Sequence, residues 1–119
     1  MNVLVVDDSK LARLSMVKAL SGTFDPEQIF QASNGQEAVD LAKEHRPPIV
    51  FLDLTMPVMD GYEALPLLIE SNPNINVIVV TADIQEQAQE KVMALGAKMH
   101  IKKPITPQKL EEVLQTLRK

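Results

Sequence analysis

The chain has 119 residues, 45% hydrophobic and 24% charged, with a formal net charge of -4 and no cysteine. That length suits one globular domain with a single core. The composition excludes a disordered tail, and the missing cysteine excludes disulfides, zinc–thiolate sites, iron–sulfur clusters and thiol nucleophiles. Scattered Lys and Arg argue against a nucleic-acid or anionic-membrane surface, and no apolar run approaches the roughly 18 residues a membrane span needs. Met1 leads almost directly into Val3-Leu4-Val5-Val6, without signal-peptide architecture. The expectation is a soluble, cytoplasmic, single domain over residues 1–119.

In chain order, five β-rich apolar runs stand out: Val3 to Val6, Gln28 to Ala32, Ile49 to Leu52, Val77 to Val80, and Lys98 to Lys102. The first, third and fourth are continuously apolar, as strands are when both faces are covered in a parallel sheet. Between them lie helical spacings. Ser9 to Leu20 puts Ala12, Met16, Ala19 and Leu20 on one stripe. Asn34 looks like an N-cap with Glu37 three residues on, opening a helix that buries Ala38, Leu41 and Ala42. Leu65, Leu68 and Ile69 mark a third helix that stops at Asn72-Pro73. Pro66 falls within its first turns, where a proline loses a hydrogen bond and clashes one turn back, so this helix is expected to start late or be distorted between Gly61 and Leu67. Gln85 to Leu95 carries Ala88, Val92 and Leu95, with Gly96 placed as its C-terminal cap. The last helix has Thr106 as cap, Pro107 as first residue, and Leu110, Val113, Leu114 and Leu117 as its stripe.

Strand and helix thus alternate five times, which indicates an open parallel sheet with helices on both faces. In such sheets ligands bind beyond the carboxyl ends of the strands. Those ends carry Asp7-Asp8, Asp53, Thr81 and Lys103, while the second strand ends blandly in Ala32-Ser33. Any one of these residues alone reads as solvated loop, turn or strand end. Together they put three carboxylates, a hydroxyl and an ammonium on one edge. Carboxylates about 4 Å apart repel by up to roughly 4 kcal/mol per pair at an effective dielectric near 20. Lys103, with Lys102 as its rival, supplies one compensating charge. A hard divalent cation on oxygen ligands is the natural second, and Mg²⁺ fits because it takes few carboxylates and leaves room for a phosphoryl oxygen. Asp53 sits alone and central, which marks it as the acceptor of a phosphoryl group.

Asp7-Asp8-Ser9, the run Phe51 to Gly61 (FLDLTMPVMDG), Val80-Thr81-Ala82, Gly96-Ala97 and Lys102-Lys103-Pro104 together resemble the receiver domain of bacterial two-component response regulators. The resemblance covers essentially the whole chain. It implies a flavodoxin-like doubly wound (βα)5 fold with strand order 2-1-3-4-5. It implies Asp53 as phosphoacceptor, Asp8 as a direct Mg²⁺ ligand, Asp7 as a ligand largely through water, and the backbone carbonyl of Thr55 as a further ligand. Lys103 would pair with the phosphoryl group, and its bond to Pro104 would be cis. Thr81 would swing inward to donate to a phosphoryl oxygen. A ring on the fifth strand follows that movement in the family; the matching residue here is His100, in place of the usual tyrosine or phenylalanine. Thr55 and Asp83 would look out over the phosphoryl group.

The implied function is a switch rather than an enzyme. A sensor histidine kinase or histidine phosphotransfer protein would donate the phosphoryl group. A downstream protein effector would then read the surface formed by Gln85 to Leu95, Lys98 to Lys102 and Thr106 to Lys119, with no DNA or membrane contact. The chain would be chemotaxis-like, a phosphorelay intermediate or a receiver fragment of a larger regulator, as a monomer or a phosphorylation-dependent dimer. Two rivals stand beside this reading. An aspartyl-phosphate hydrolase needs a second acid two residues after its nucleophile, where this chain has Thr55. A pseudo-receiver would be a phosphorylation-independent interaction module, which the full set of acids disfavours. Asp60-Gly61 reads as a turn, and His45, beside Pro47-Pro48, as a surface histidine.

Overall fold

A computed structural model describes residues 2–54, 56–82, 86–103 and 105–117. Its strands are β1 (Val3–Val6), β2 (Ile29–Ala32), β3 (Ile49–Leu52), β4 (Asn76–Thr81) and β5 (Met99–Lys102). The helices are α1 (Lys10–Leu20), α2 (Gly35–His45), α3 (Gly61–Ser71), α4 (Glu86–Ala94) and α5 (Pro107–Leu117). The strands form one parallel sheet in the order β2-β1-β3-β4-β5. In register, Val3 lies beside Ile29 on one side and Ile49 on the other, and Thr81 lies beside Lys102.

Successive strand residues face opposite sides. Leu4, Val6, Val50, Leu52, Val77 and Val79 pack with Ala38, Val39 and Ala42 of α2, Ala64, Leu65 and Leu68 of α3, and Val92 of α4. Val3, Val5, Ile49, Phe51, Ile78 and Val80 pack on the other side with Met16 and Leu20 of α1 and Leu110, Val113 and Leu114 of α5. Both parities are therefore buried, which is why the three central strands read as unbroken apolar runs. Each fully buried aliphatic side chain of this kind contributes about 1.5–3 kcal/mol.

The element ends follow local chemistry. Ser9, Asn34 and Asp60 cap α1, α2 and α3, each accepting a backbone N–H three residues ahead. The Thr106 hydroxyl accepts from Lys109 N–H at 3.2 Å, with Pro107 opening α5 as its fixed φ allows. At the end of α4, Gly96 takes φ +109° while Gly96 N–H donates to Met93 O and Ala97 N–H to Val92 O. This paired closure needs a left-handed residue, and glycine adopts it without steric cost.

Several expectations need correction. Gln28 belongs to a 3₁₀ turn, Pro26–Gln28, rather than to β2, because its side-chain carbonyl accepts the Asp25 N–H at 3.0 Å and closes the turn. β4 is longer than its apolar run by one residue at each end, and β5 starts one residue later than Lys98. Most clearly, α3 is regular from Gly61 through Pro66 to Ser71. The Asp60 cap and the Ala64 N–H to Asp60 O bond already form its first turn. Pro66 is exposed, so the Tyr62 carbonyl that loses its partner lies on the solvent side. Burial of Ala64, Leu65 and Leu68 outweighs that single missing bond. Asp60-Gly61 is accordingly a helix cap and first residue rather than an isolated turn. Gln85, Arg118 and Lys119 lie outside the described residues.

Candidate functional site

The polar edge forms because each strand ends where its apolar run ends. Asp7 N–H still donates to Ala32 O at 3.1 Å and Asp53 N–H to Val6 O at 3.0 Å, so both acids extend the ladder by one residue. Lys103 N–H donates to Thr81 O at 2.8 Å, which fixes the start of the segment after β5. The sheet therefore delivers Asp7, Asp53, Thr81 and Lys103 to adjacent positions.

Carboxylate oxygens of Asp7, Asp8 and Asp53 all lie within 4.8 Å of one another, with Asp7 and Asp53 buried and Asp8 exposed. Lys103 Nζ is 2.5 Å from Asp7 Oδ2 and 3.5 Å from Asp53 Oδ2. This selects Lys103 over Lys102, which is exposed and lies on β5. Asp53 Oδ1 also accepts the Leu54 N–H at 2.9 Å. Burial, and then the charge of Asp7, push the Asp53 carboxyl above its ordinary range; the Lys103 charge and the Leu54 N–H offset this only in part. Burial pulls the Lys103 ammonium down, but its hydrogen bond to Asp7 and the charges of Asp53 and Asp7 more than reverse that, leaving it raised.

Three carboxylates facing one ammonium leave the site short of positive charge. The donors are all hard oxygens, so the set fits Mg²⁺. Thr55, whose carbonyl the resemblance assigns as a further ligand, lies outside the described residues, as do Asp83 and Pro104.

Two features of the loop after Asp53 were not legible as site features. A Cβ at Gly61 would collide with the Asp53 carbonyl oxygen and sit 2.8 Å from Leu54 Cα, so α3 can start this close to Asp53 only with glycine there. Gly35 at the start of α2 donates its N–H to Met59 O at 2.8 Å, and a Cβ there would strike the same carbonyl. Between these contacts Met59 N–H donates to Pro57 O at 2.7 Å across Val58, which is 81% exposed and has φ +67°. A γ-turn with positive φ at a β-branched residue is strained.

Sequence reading also passed over Arg13, whose Nη1 donates to the Asp7 carbonyl at 2.7 Å. Its only signal is an arginine one helical turn into α1 after an Asp-Asp pair. Thr81 is buried at the end of β4. His100 lies beside Val79, on the sheet face that α4 covers; it is half-buried, and its Nε2 is buried without a hydrogen-bond partner. His45 is not a plain surface residue: it is half-buried and stacks on Phe30 at 4.1 Å between ring centres.

A doubly wound sheet with two buried acids, a third exposed acid and a lysine at its carboxyl edge defines a class of α/β domains with an oxygen-ligand site. The response regulator receiver domain model matches residues 3–115, and the chain belongs to that family. It is 37% identical over 117 residues to the chemotaxis protein CheY of Thermotoga maritima, covering 98% of this chain and 97% of that one. It is similar to a chain of the CheX–CheY–BeF3–Mg²⁺ complex from Borrelia burgdorferi, with TM-score 0.83, 36% identity, and coverage of 100% and 90% of the two chains. It is also 40% identical to an Archaeoglobus fulgidus protein-glutamate methylesterase/protein-glutamine glutaminase, covering 87% of this chain but 30% of that protein. Receiver domains of this family thus occur both nearly alone and within longer chains. No helix among the described residues is long and apolar enough to cross a membrane.

Proposed function

We propose that the chain is a phosphorylation switch comprising one receiver domain over residues 1–119, with Asp53 as acceptor. The observation that carries this reading is a buried Asp53 that lies within reach of Lys103 and clustered with Asp7 and Asp8. A carboxylate oxygen of Asp53 attacks the phosphorus of a phosphohistidine on a sensor histidine kinase or histidine phosphotransfer protein. The P–N bond breaks, the imidazole leaves with the electron pair and takes a proton from solvent, and an acyl phosphate forms. Asp8, Asp7 and the Thr55 carbonyl are the residues that would hold Mg²⁺ with Asp53. When bound, the cation supplies positive charge to the acids and to the phosphoryl oxygens. A related CheY complex contains Mg²⁺ together with BeF3, which supports that pairing.

Lys103 holds the arriving phosphoryl group by charge, and the Thr81 hydroxyl donates to one of its oxygens. The chain accepts the group and turns over no substrate, so it is not an enzyme in its own right. Thr81 and His100 share a face of the sheet two residues apart in register. Inward movement of Thr81 lets the His100 ring follow, and the surface of α4, β5 and α5 shifts for a protein effector in the cytoplasm. The acyl phosphate biases this equilibrium only by its differential interaction with the two states.

Intact-mass analysis after incubation with acetyl phosphate tests the reading. One phosphoryl adduct is expected on the wild type with Mg²⁺, and none without Mg²⁺ or on Asp53→Asn. An adduct that survives Asp53→Asn removes Asp53 as acceptor, and no adduct under any condition favours a phosphorylation-independent module.

A further inference from the structure

The Asp7–Asp8 turn is held from several directions. Asp7 N–H is tied to Ala32 O, and Asp7 Oδ1 accepts the Ser9 N–H at 2.9 Å. Asp7 Oδ2 is occupied by Lys103. That leaves the peptide joining Asp7 to Asp8, whose orientation sets where the exposed Asp8 side chain goes. Its carbonyl is the group that Arg13 reaches.

Arg13 opens the main-chain ladder of α1, donating its backbone N–H to Ser9 O at 3.0 Å. Helical side chains lean toward the N-terminus, so a long side chain at this position folds back over the preceding turn. Arg13 is half-buried, and its 2.7 Å bond to Asp7 O is a charge-assisted one in a part-buried setting. Its charge is also felt at Glu37 in the first turn of α2. The Ser33 hydroxyl and N–H chiefly, with Arg13 adding, hold the Glu37 carboxyl below its usual range. Arg13 therefore ties α1 to the turn that carries two of the three acids.

We infer that Arg13 is a positioning residue for the cation site: its bond to the Asp7 carbonyl fixes the Asp7–Asp8 peptide and so the direction from which the Asp8 carboxylate meets the cation. The inference rests on the Mg²⁺ reading above. It makes a prediction opposite in sign to simple electrostatics. A guanidinium near a divalent cation repels it, so charge alone says that removing Arg13 tightens Mg²⁺ binding. Positioning says that removal weakens it, as loss of an outer partner of a metal ligand does, by about 10-fold or more.

The experiment is a Mg²⁺ titration of the wild type, Arg13→Ala, Arg13→Lys and Asp8→Asn, followed by backbone amide NMR shifts, which report folding and Kd together. Expected are an approximately 10-fold weaker Kd for Arg13→Ala and a Kd within about 3-fold of wild type for Arg13→Lys, which keeps one donor. Where Arg13→Ala does not fold, Arg13→Met keeps the aliphatic stem and gives the same comparison. A Kd unchanged or tighter in the folded truncation, with the wild type binding normally, overturns the positioning role alone. If the wild type binds no Mg²⁺, or Asp8→Asn binds as the wild type does, the cation reading itself falls and the inference with it.

Discussion

The two ends of the same five strands have opposite characters. At the amino end, Phe24, Pro48, Ile49, Leu114 and Leu117 line an apolar hollow of about 390 Å³ with Thr23, Gln28 and Asn76. Its polar backbone is satisfied locally, with Asn76 N–H and its side-chain amide both donating to Pro48 O. At the carboxyl end, three acids crowd one lysine and Asp53 is held above its ordinary pKa range. The βα connection explains why the acids gather at the carboxyl end. Every helix that follows a strand turns its N-terminus, with its partial positive charge, toward the carboxyl edge. The sheet supplies rigidity throughout, and the acid cluster stands at the edge where the helix N-termini favour anions.

That division can be tested by substitutions on each side of it, starting with the largest effect. Leu68→Ala removes a fully buried side chain from the face packed by α2 and α3. It should cost about 3 kcal/mol in denaturant unfolding while leaving the Mg²⁺ affinity of the folded chain unchanged. Gly61→Ala should cost less, about 2 kcal/mol, yet also slow phosphoryl uptake, because the new Cβ meets the Asp53 and Leu54 backbone. Equal uptake rates in these two variants, compared at a temperature where both are folded, would dissolve the distinction between frame and edge. Val58→Gly should raise stability by about 1 kcal/mol, since it relieves a positive φ at a side chain that is 81% exposed and buries little.

The smallest effect is a matter of sign. Asp53 has its carboxyl pKa raised by folding, so the protonated form is favoured in the native state, and stability from this group is lost as pH rises through the folded value. The Asp53→Asn variant should therefore melt slightly higher than the wild type at pH 7. The gap should close as pH falls below about 3.9, the unfolded aspartate value, and narrow when Mg²⁺ is added to both proteins. A variant that melts lower at pH 7 would mean that Lys103 more than compensates Asp53.

Most of the frame was legible because its signals are local. The unbroken runs at β1, β3 and β4 required two covered faces, and Asn34, Thr106 and Gly96 announced helix ends that the structure has. The strand order came from the family resemblance, since periodicity does not say which strands are neighbours. Pro66 misled because its cost is local while the burial that overrides it is tertiary. At the polar edge, Asp7, Asp8, Asp53, Thr81 and Lys103 could be placed together because strand ends can be counted along the chain. Arg13, Gly35 and Gly61 could not. Each acts through a backbone carbonyl, of Asp7, Met59 or Asp53, and no pattern of side chains records which carbonyl lies close in space.

The two outermost strands carry a consequence for life in a crowded solution. β2 and β5 are the two edges of the sheet, and a sheet edge is the kind of template on which another chain can add a strand and begin a polymer. Both are only four residues long, and each has one exposed polar side chain, Gln31 in β2 and Lys102 in β5. Lys109 Nζ further occupies the Lys102 carbonyl at 3.2 Å. In the switch proposed above, the surface around β5 is the one offered to a protein effector. Brevity and a lysine make both borders poor templates for a growing sheet.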